Sequence, residues 1–336
     1  MKYTALREPL ACKIRRHAGN AAGVALLLAS ASTLAQSWPE KPIRLVVGFP
    51  PGGSGDFIAR NMGEEMNRLL GQQIIIDNRP GAGSNIASEI VSRANPDGYT
   101  VLLGGSFSHA VNPTLYKKLP FDPEKDFSPI SKVANFTTIV AVFPKLPVNT
   151  LKELIARAKA EPGKLSYGTP GAGTPSHLAG VMLNSIAGIN LVHVPFKGGG
   201  PSLVATLAGE VPVIIATPPV ALPQVRAGRL RALSLTTRKN SPIIPGIPGT
   251  EEAGLPSYDV GGWWGLWTPA RTPHAVVNKL YDTTQKVFSA PHIRERLARE
   301  GLEIETSPSP ADFAAFIRKE IPFWAKVVRE SGATAD

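Results

Sequence analysis

Three times in this chain a short apolar run stops at a proline-glycine loop and a helical pattern begins. The loops are Pro51-Gly52-Gly53-Ser54-Gly55, Pro80-Gly81-Ala82-Gly83-Ser84 and Pro170-Gly171-Ala172-Gly173-Thr174, with a looser fourth at Lys197-Gly198-Gly199-Gly200-Pro201. Ile43-Arg44-Leu45-Val46-Val47, Ile74-Ile75-Ile76 and Leu165-Ser166-Tyr167-Gly168 are the strands that feed the first three. After the first loop, Ile58, Met62, Met66 and Leu69-Leu70 recur at helical spacing until Gly71 stops them. Strand, loop and helix in repeat predict a mostly parallel sheet with helices on both faces.

The same loops carry the chemistry. Glycine lets backbone amides approach a ligand, and a helix start offers unpaired N–H groups with a partial positive charge. In open α/β sheets ligands gather at the carboxyl ends of the strands. No Lys-Ser/Thr follows these glycines as a phosphate loop needs, and Ile86 and Pro175 spoil the dinucleotide fingerprint. Neutral Ser, Thr and amide donors without arginine clusters suit a carboxylate. Tight turns with helix caps are the bland alternative.

Further strands are expected at 100–103, 192–194, 211–215 and 231–235. Helices are expected at 86–94, from Thr150-Leu151-Lys152-Glu153 to Pro162-Gly163, and at 176–187, 200–208 and 219–227. Thr150 and Glu153 form a capping box. The run Phe136 to Phe143 crosses from one lobe to another, residues 239–257 form a connector, and Trp263-Trp264-Gly265-Leu266-Trp267 returns to the first lobe. Helices near 273–299 follow. The last helix is capped by Ser309, buries Phe313, Ile317, Trp324 and Val328, and is expected to kink at Pro322.

The N-terminus reads as a secretory leader over residues 1–35. Lys13, Arg15 and Arg16 precede a short apolar stretch centred on Leu26-Leu27-Leu28, and small residues end it at Thr33-Leu34-Ala35. Cys12, the single cysteine of the chain, lies within it, so the processed chain has no disulfide and no thiolate chemistry. About 300 residues then remain, enough for two lobes. Part of the net charge of +10 belongs to the leader, and the other lysines and arginines are scattered. No basic stripe with interleaved aromatics points to nucleic acid. His109, His177, His193, His274 and His292 show no metal-ligand spacing, so neither a metal nor another cofactor is expected. His193, on a strand, is expected in the core.

Catalysis is the rival reading. Gly104-Gly105-Ser106-Phe107-Ser108 is close to a nucleophile elbow but ends in Ser, and His109 or His177 could serve as base. No recognisable spacing pairs them, and the chain is read as a non-enzyme.

A series of motifs runs through the chain beyond the leader. It includes Trp38-Pro39-Glu40-Lys41-Pro42-Ile43-Arg44, Pro50-Pro51-Gly52-Gly53-Ser54 and Asp77-Asn78-Arg79-Pro80-Gly81-Ala82-Gly83. Asn95-Pro96-Asp97-Gly98-Tyr99-Thr100, Tyr167-Gly168-Thr169-Pro170-Gly171, Ser176-His177-Leu178-Ala179-Gly180 and Val194-Pro195-Phe196-Lys197-Gly198-Gly199 continue it, and Trp324-Ala325-Lys326-Val327-Val328 closes it. The series resembles the Bug-type receptors of tripartite tricarboxylate transporters.

The resemblance implies a type II periplasmic-binding-protein fold, with two lobes, a double crossover and a cleft between them. Lobe 1 would comprise 38–140 and 255–336, and lobe 2 would comprise 141–254. It implies a periplasmic monomer that binds a small organic carboxylate and hands it to the membrane subunits of a tripartite tricarboxylate-type transporter. A receptor that presents its ligand to a sensor kinase would share this site, and a serine hydrolase acting through Ser106 is the remaining alternative. Carried over residue by residue, the site places Phe49, Gly53, Ser54 and Asp56 on the first lobe, with Ser106 and His109 behind them. Thr169, Gly171, Thr174, His177 and Lys197 lie on the second. Asp56 has an equal claim to capping its helix. Glu210 and Pro212 depart from the resemblance, which leaves Thr217 as a donor after the strand that follows. Phe49, Phe107, Phe196 and Trp263 either line an aromatic pocket or belong to the core, where Trp263 is expected.

Overall fold

The computed structural model describes residues 38–331. The leader and Cys12 lie outside them. Two sheets organise the chain, and both follow one plan. In the first, β1 (Ile43–Val47) lies between β2 (Ile74–Asn78) and β3 (Thr100–Gly105), all parallel. In the second, β6 (Ser166–Thr169) lies between β7 (Val192–Pro195) and β8 (Val213–Ala216), again all parallel.

Each parallel trio is extended by an antiparallel strand that arrives from the other half. β4 (Phe127–Phe136) runs in the first sheet. Two residues later the chain enters β5 (Ile139–Val142) in the second, antiparallel to β8 and to β9 (Arg231–Leu235). The return is made by β10 (Gly262–Pro269), antiparallel to β3 and β4, and β11 (Glu303–Ile304) closes the edge. The orders are β11-β4-β10-β3-β1-β2 and β7-β6-β8-β5-β9. The sheets are therefore mixed rather than mostly parallel. A strand that crosses between halves enters its new sheet from the opposite end and must run against its neighbour. The expected run from Phe136 to Phe143 divides at this crossing, and Phe127 to Phe136 is a strand that apolar patterning missed, because Ser128, Pro129, Ser131, Lys132 and Asn135 interrupt it.

The helices follow from local signals. α1 (Ser54–Leu70) ends at Gly71, whose left-handed φ of 68° lets its N–H return to the Asn67 carbonyl. α2 (Asn85–Ser92) and the short α3 (Asn112–Leu115) complete the helices that precede β4. α4 (Leu151–Ala160) begins at Thr150, which accepts the Glu153 amide at 3.1 Å. Glu153 reaches back past Thr150 to the Asn149 amide at 2.7 Å. α5 (Pro175–Ala187), α6 (Gly199–Leu207) and α7 (Pro218–Arg226) follow β6, β7 and β8. α8 (His274–Ser289) and α9 (Pro291–Arg299) pack on the first sheet side, and α10 (Pro310–Ser331) runs through Pro322. Phe313, Ile317, Trp324 and Val328 of α10 are all buried. Each buried side chain of this size contributes about 1.5–3 kcal/mol. Trp263 and Trp324 both donate their indole N–H to Glu320, at 2.8 and 3.0 Å. No helix among the described residues is long and apolar enough to cross a membrane.

A knot of threonine hydroxyls ties the crossing segments. Thr236 is fully buried and its Oγ1 accepts the Thr138 amide at 3.0 Å and donates to the Val260 carbonyl at 2.7 Å. Thr137 Oγ1 lies 3.3 Å from the same hydroxyl and accepts from Thr237 Oγ1 at 3.2 Å. Buried polar groups here are satisfied by one another.

Candidate functional site

Because the two sheets share one plan, equivalent loops face each other. Those after β1 and β2 come from one half, and those after β6, β7 and β8 come from the other. They enclose two adjoining chambers. The inner one has a volume of about 40 Å³ and is lined by Phe49, Gly53, Ser54 and Gly55 on one side and by Thr174, Ser176 and Thr217 on the other. Val220 and Trp264 form its apolar walls. The outer chamber, about 660 Å³, shares Phe49, Pro50, Pro170 and Thr174 with the inner one. It is lined further by the 80–84 loop, Tyr116, Gly171, Phe196 and Lys197.

The donors of the inner chamber arise from helix starts. The amides of Ser54 and Gly55, at the first turn of α1, have no carbonyl one turn back to bond within the helix. The Ser176 hydroxyl is 1% exposed and has no hydrogen-bond partner among the described residues. Thr174 caps α5 by accepting the His177 amide at 3.3 Å and donates to the Gly171 carbonyl at 2.7 Å. α7 is different. It begins Pro218-Pro219, so its first two residues have no N–H, and Thr217 makes no cap bond. Thr217 therefore offers a hydroxyl and α7 offers no amide there.

Asp56 is one of the expected residues that turns elsewhere. It is buried, and its carboxylate accepts from the Gly52 amide at 3.0 Å, Arg60 Nε at 2.9 Å and Asn78 Nδ2 at 3.2 Å. Burial alone would raise its pKa, but the Arg60, Gly52 and Asn78 bonds outweigh it and hold the carboxyl below the usual range. Asp56 thus pins the loop that presents Ser54 and does not line either chamber.

His109 is fully buried, stacked on Trp267 at 3.9 Å, with Nδ1 2.9 Å from Ser108 Oγ. Burial pushes its pKa down to about 3. It lines neither chamber. Ser106 accepts the Trp263 amide at 3.5 Å and borders a small cavity at the crossing, with Phe107 and Trp324, that shares Thr174 and Pro175 with the inner chamber. Neither histidine named as a base for Ser106 is its hydrogen-bond partner among the described residues.

Thr169 and His177 support the second-half loop from behind. Thr169 Oγ1 accepts the Gly171 amide at 3.2 Å and bonds His193 Nε2 at 2.7 Å. His177 Nδ1 accepts the Gly173 amide at 3.2 Å, which places its proton on Nε2. His177 and His193 stack at 4.3 Å, and burial lowers the pKa of each to about 4. His193 is half-buried on an edge strand rather than in the core, because β7 has no neighbour beyond it.

The sequence reading missed Ser176, Trp264 and Tyr116. Ser176 could have been found as the first residue with an N–H after Thr174-Pro175. The choice between Trp263 and Trp264 depends on strand register. Trp263 faces the core, whereas Trp264 stands edge-to-face with Phe49 and Phe107 at 5.7 and 5.0 Å.

The loops meet across the cleft. A Cβ on Gly83 would lie 2.8 Å from the Gly173 carbonyl oxygen, and one on Gly173 would lie 3.3 Å from Gly83 Cα. Both residues also have positive φ, 59° and 72°, which glycine adopts freely. Ala82 and Ser84 hold positive φ as well, at 45° and 75°, so the 80–84 loop is wound through a region most side chains avoid.

Two sheets of one plan, with a crossing between them and a loop-lined cleft, define a bilobal solute receptor of the periplasmic-binding-protein class. Solved structures share the arrangement. The periplasmic binding protein BugD is 33% identical with a TM-score of 0.84, covering 88% of this chain and 99% of its own. An R. palustris protein solved with adipate is 32% identical with a TM-score of 0.84, over 88% and 99%. MatC of Rhodopseudomonas palustris, solved with malate, is 31% identical with a TM-score of 0.81, over 87% and 100%. A UPF0065 protein of Bordetella pertussis is 37% identical over 311 residues, 93% of this chain and 96% of that one. Residues 58–333 match the tripartite tricarboxylate transporter family receptor, and the chain belongs to that family as a Bug-type receptor.

Proposed function

We propose that this receptor binds a small organic carboxylate between its lobes, in the periplasm, and delivers it to the membrane subunits of a tripartite tricarboxylate-type transporter. The observation that carries the reading is the inner chamber. Amides at the start of α1 that have no partner within the helix and an unpartnered Ser176 hydroxyl meet there, with no acidic side chain among the lining residues. An anion supplies what these donors lack, and hydrogen bonds to a charged group are worth about 1.5–3 kcal/mol each. The adipate and malate held by the two R. palustris relatives support the ligand class. Export rests on the leader read at residues 1–35 and on the periplasmic setting of the family.

In this reading the two lobes divide at 136–139 and 235–262 rather than at 140/141 and 254/255, because Ile139–Val142 is a single strand of the second sheet. Phe49, Gly53, Ser54, Thr174 and Thr217 meet the ligand directly, and Gly171 and Lys197 border the outer chamber. Asp56, Thr169 and His177 position those loops. Isothermal titration against a carboxylate panel tests the function, and an absence of heat with every acid would count against it. The double variant Ser54→Ala/Thr174→Ala tests the site. A loss of at least about tenfold in affinity is expected, and unchanged affinity would move the site elsewhere.

A further inference from the structure

One helical turn of the first half reaches both loops where the halves meet. Asn112 opens α3 and Tyr116 follows its last residue, so the two side chains share one face of the turn. The Tyr116 amide closes that turn onto the Asn112 carbonyl at 3.0 Å. Asn112 is fully buried, and its Nδ2 donates to the Gly83 carbonyl at 2.9 Å and to Asn85 Oδ1 at 2.8 Å. It thereby fixes the 80–84 loop from within its own half. Tyr116 reaches the other half. A Cβ built on Gly173 would lie 2.6 Å from the Tyr116 hydroxyl oxygen and 3.3 Å from its Cε2, so the end of the ring rests against the Gly173 backbone. Gly173 is held on its own side, where its amide donates to His177 Nδ1 at 3.2 Å.

Resting on the reading of this cleft as a carboxylate site that closes by hinging, we propose that Tyr116 is a positioning residue for closure. It latches the 170–174 loop and stabilises the closed receptor to the same extent for every acid the closed cleft encloses. With hinges at 136–139 and 235–262, Asn112, Tyr116 and Gly83 move as one body and Gly173 moves against them. The Asn112–Gly83 bond persists through such a motion. The Tyr116–Gly173 contact exists only when the halves are together. A contact made in one state alone shifts the equilibrium toward that state. It acts on release more than on capture, because it forms after the ligand has entered and must break before the ligand leaves. Tyr116 also lines the outer chamber, beside Gly171 and Phe196. A wall that touched the ligand directly would matter more for a long acid than for a short one, whereas a latch acts alike on both.

The test compares the unaltered receptor with Tyr116→Ala and Tyr116→Phe. Stopped-flow tryptophan fluorescence gives association and dissociation rates for each acid of the panel that produces heat, malate and adipate first. Tyr116→Ala is expected to release every acid at least about 10-fold faster, with association changed by less than about 3-fold. Tyr116→Phe keeps the ring against Gly173 and is expected to stay within about 3-fold of the unaltered receptor. Unchanged release from Tyr116→Ala overturns the latch. So does a factor that grows with acid length, which would make Tyr116 an ordinary wall of the chamber, and so does a Phe variant that releases as fast as the Ala variant. A second measurement needs no ligand. In a Cys12→Ser background, Ala82→Cys/Ala172→Cys places thiols on the two facing loops, both exposed and both lining the outer chamber. The rate at which a short bis-maleimide bridges them follows the closed population. Tyr116→Ala is expected to slow that bridging at least about 3-fold, and an unchanged rate overturns the latch. Silence toward every acid removes the carboxylate reading, and the bridging rate then decides the latch alone.

Discussion

Asp56 and Ser176 stand at opposite poles of the same site. Asp56 accepts three hydrogen bonds, and through two of them it holds Gly52 and Asn78 beside the start of α1. Asp56→Asn keeps the shape and removes the charge-assisted bond to Arg60. The expected result is a ligand affinity lower by about tenfold and a lower Tm, measured by titration and by calorimetry. Ser176 has an unengaged hydroxyl, so Ser176→Ala removes a buried orphan from the empty receptor. Its Tm without ligand is expected to stay level or rise slightly, while the gain in Tm on adding ligand shrinks. The buried histidines set an acid limit. Their folded pKa values, about 4 for His177 and His193 and about 3 for His109, lie below the ordinary 6.5. Between these values the unfolded chain binds protons that the folded chain refuses. Stability is therefore whole above pH 6.5 and falls as the pH drops toward 4. A thermal melt series should show Tm declining over that window, with a shallower decline in His177→Gln.

The elements most open to sequence reasoning were those whose signals are local. Gly71 ended α1, Thr150 began α4, and the Pro-Gly loops marked the ends of β1, β2 and β6, because caps and positive-φ turns depend on a few adjacent residues. β4 escaped because its polar residues pair across the sheet and do not alternate cleanly. Its partner β10 lies more than a hundred residues away, and register shifts at Trp264/Gly265 and Leu266/Trp267 blur the pattern further. The candidate site divides in the same way. Ser54, Thr174 and Thr217 were legible from their positions at helix starts. The inward turn of Asp56 and the burial of His109 depend on partners such as Asn78 and Trp267, which proximity in sequence does not reveal. The crossing offers a test of its own. Thr236→Val retains the shape but strands the Thr138 amide and the Val260 carbonyl, and should cost about 1–3 kcal/mol by urea denaturation.

At the scale of the whole molecule, the repeated plan of the two sheets explains why one loop motif occurs in both halves. Each parallel trio presents its carboxyl ends to the other, and the crossing holds the two sets of ends face to face. Lobes joined in this way are expected to close on a ligand by hinging at 136–139 and 235–262. X-ray scattering should then give a smaller radius of gyration for the loaded receptor than for the stripped one. Equal values in both states would mean that the cleft is rigid.

If the lobes hinge in this way, the meeting of Gly83 with Gly173 is expected to limit how far they close. The two loops touch through backbone, with Tyr116 and Asn112 packed beside them, and there is no space for one more methyl group. A smaller guest is then expected to bring no further closure, and a bulkier one to hold the halves apart. Guest size would thereby be converted into an angle between lobes, which would make the molecule a caliper. A partner docking on the outer faces of the two lobes would then sense how well the cargo fits without touching it.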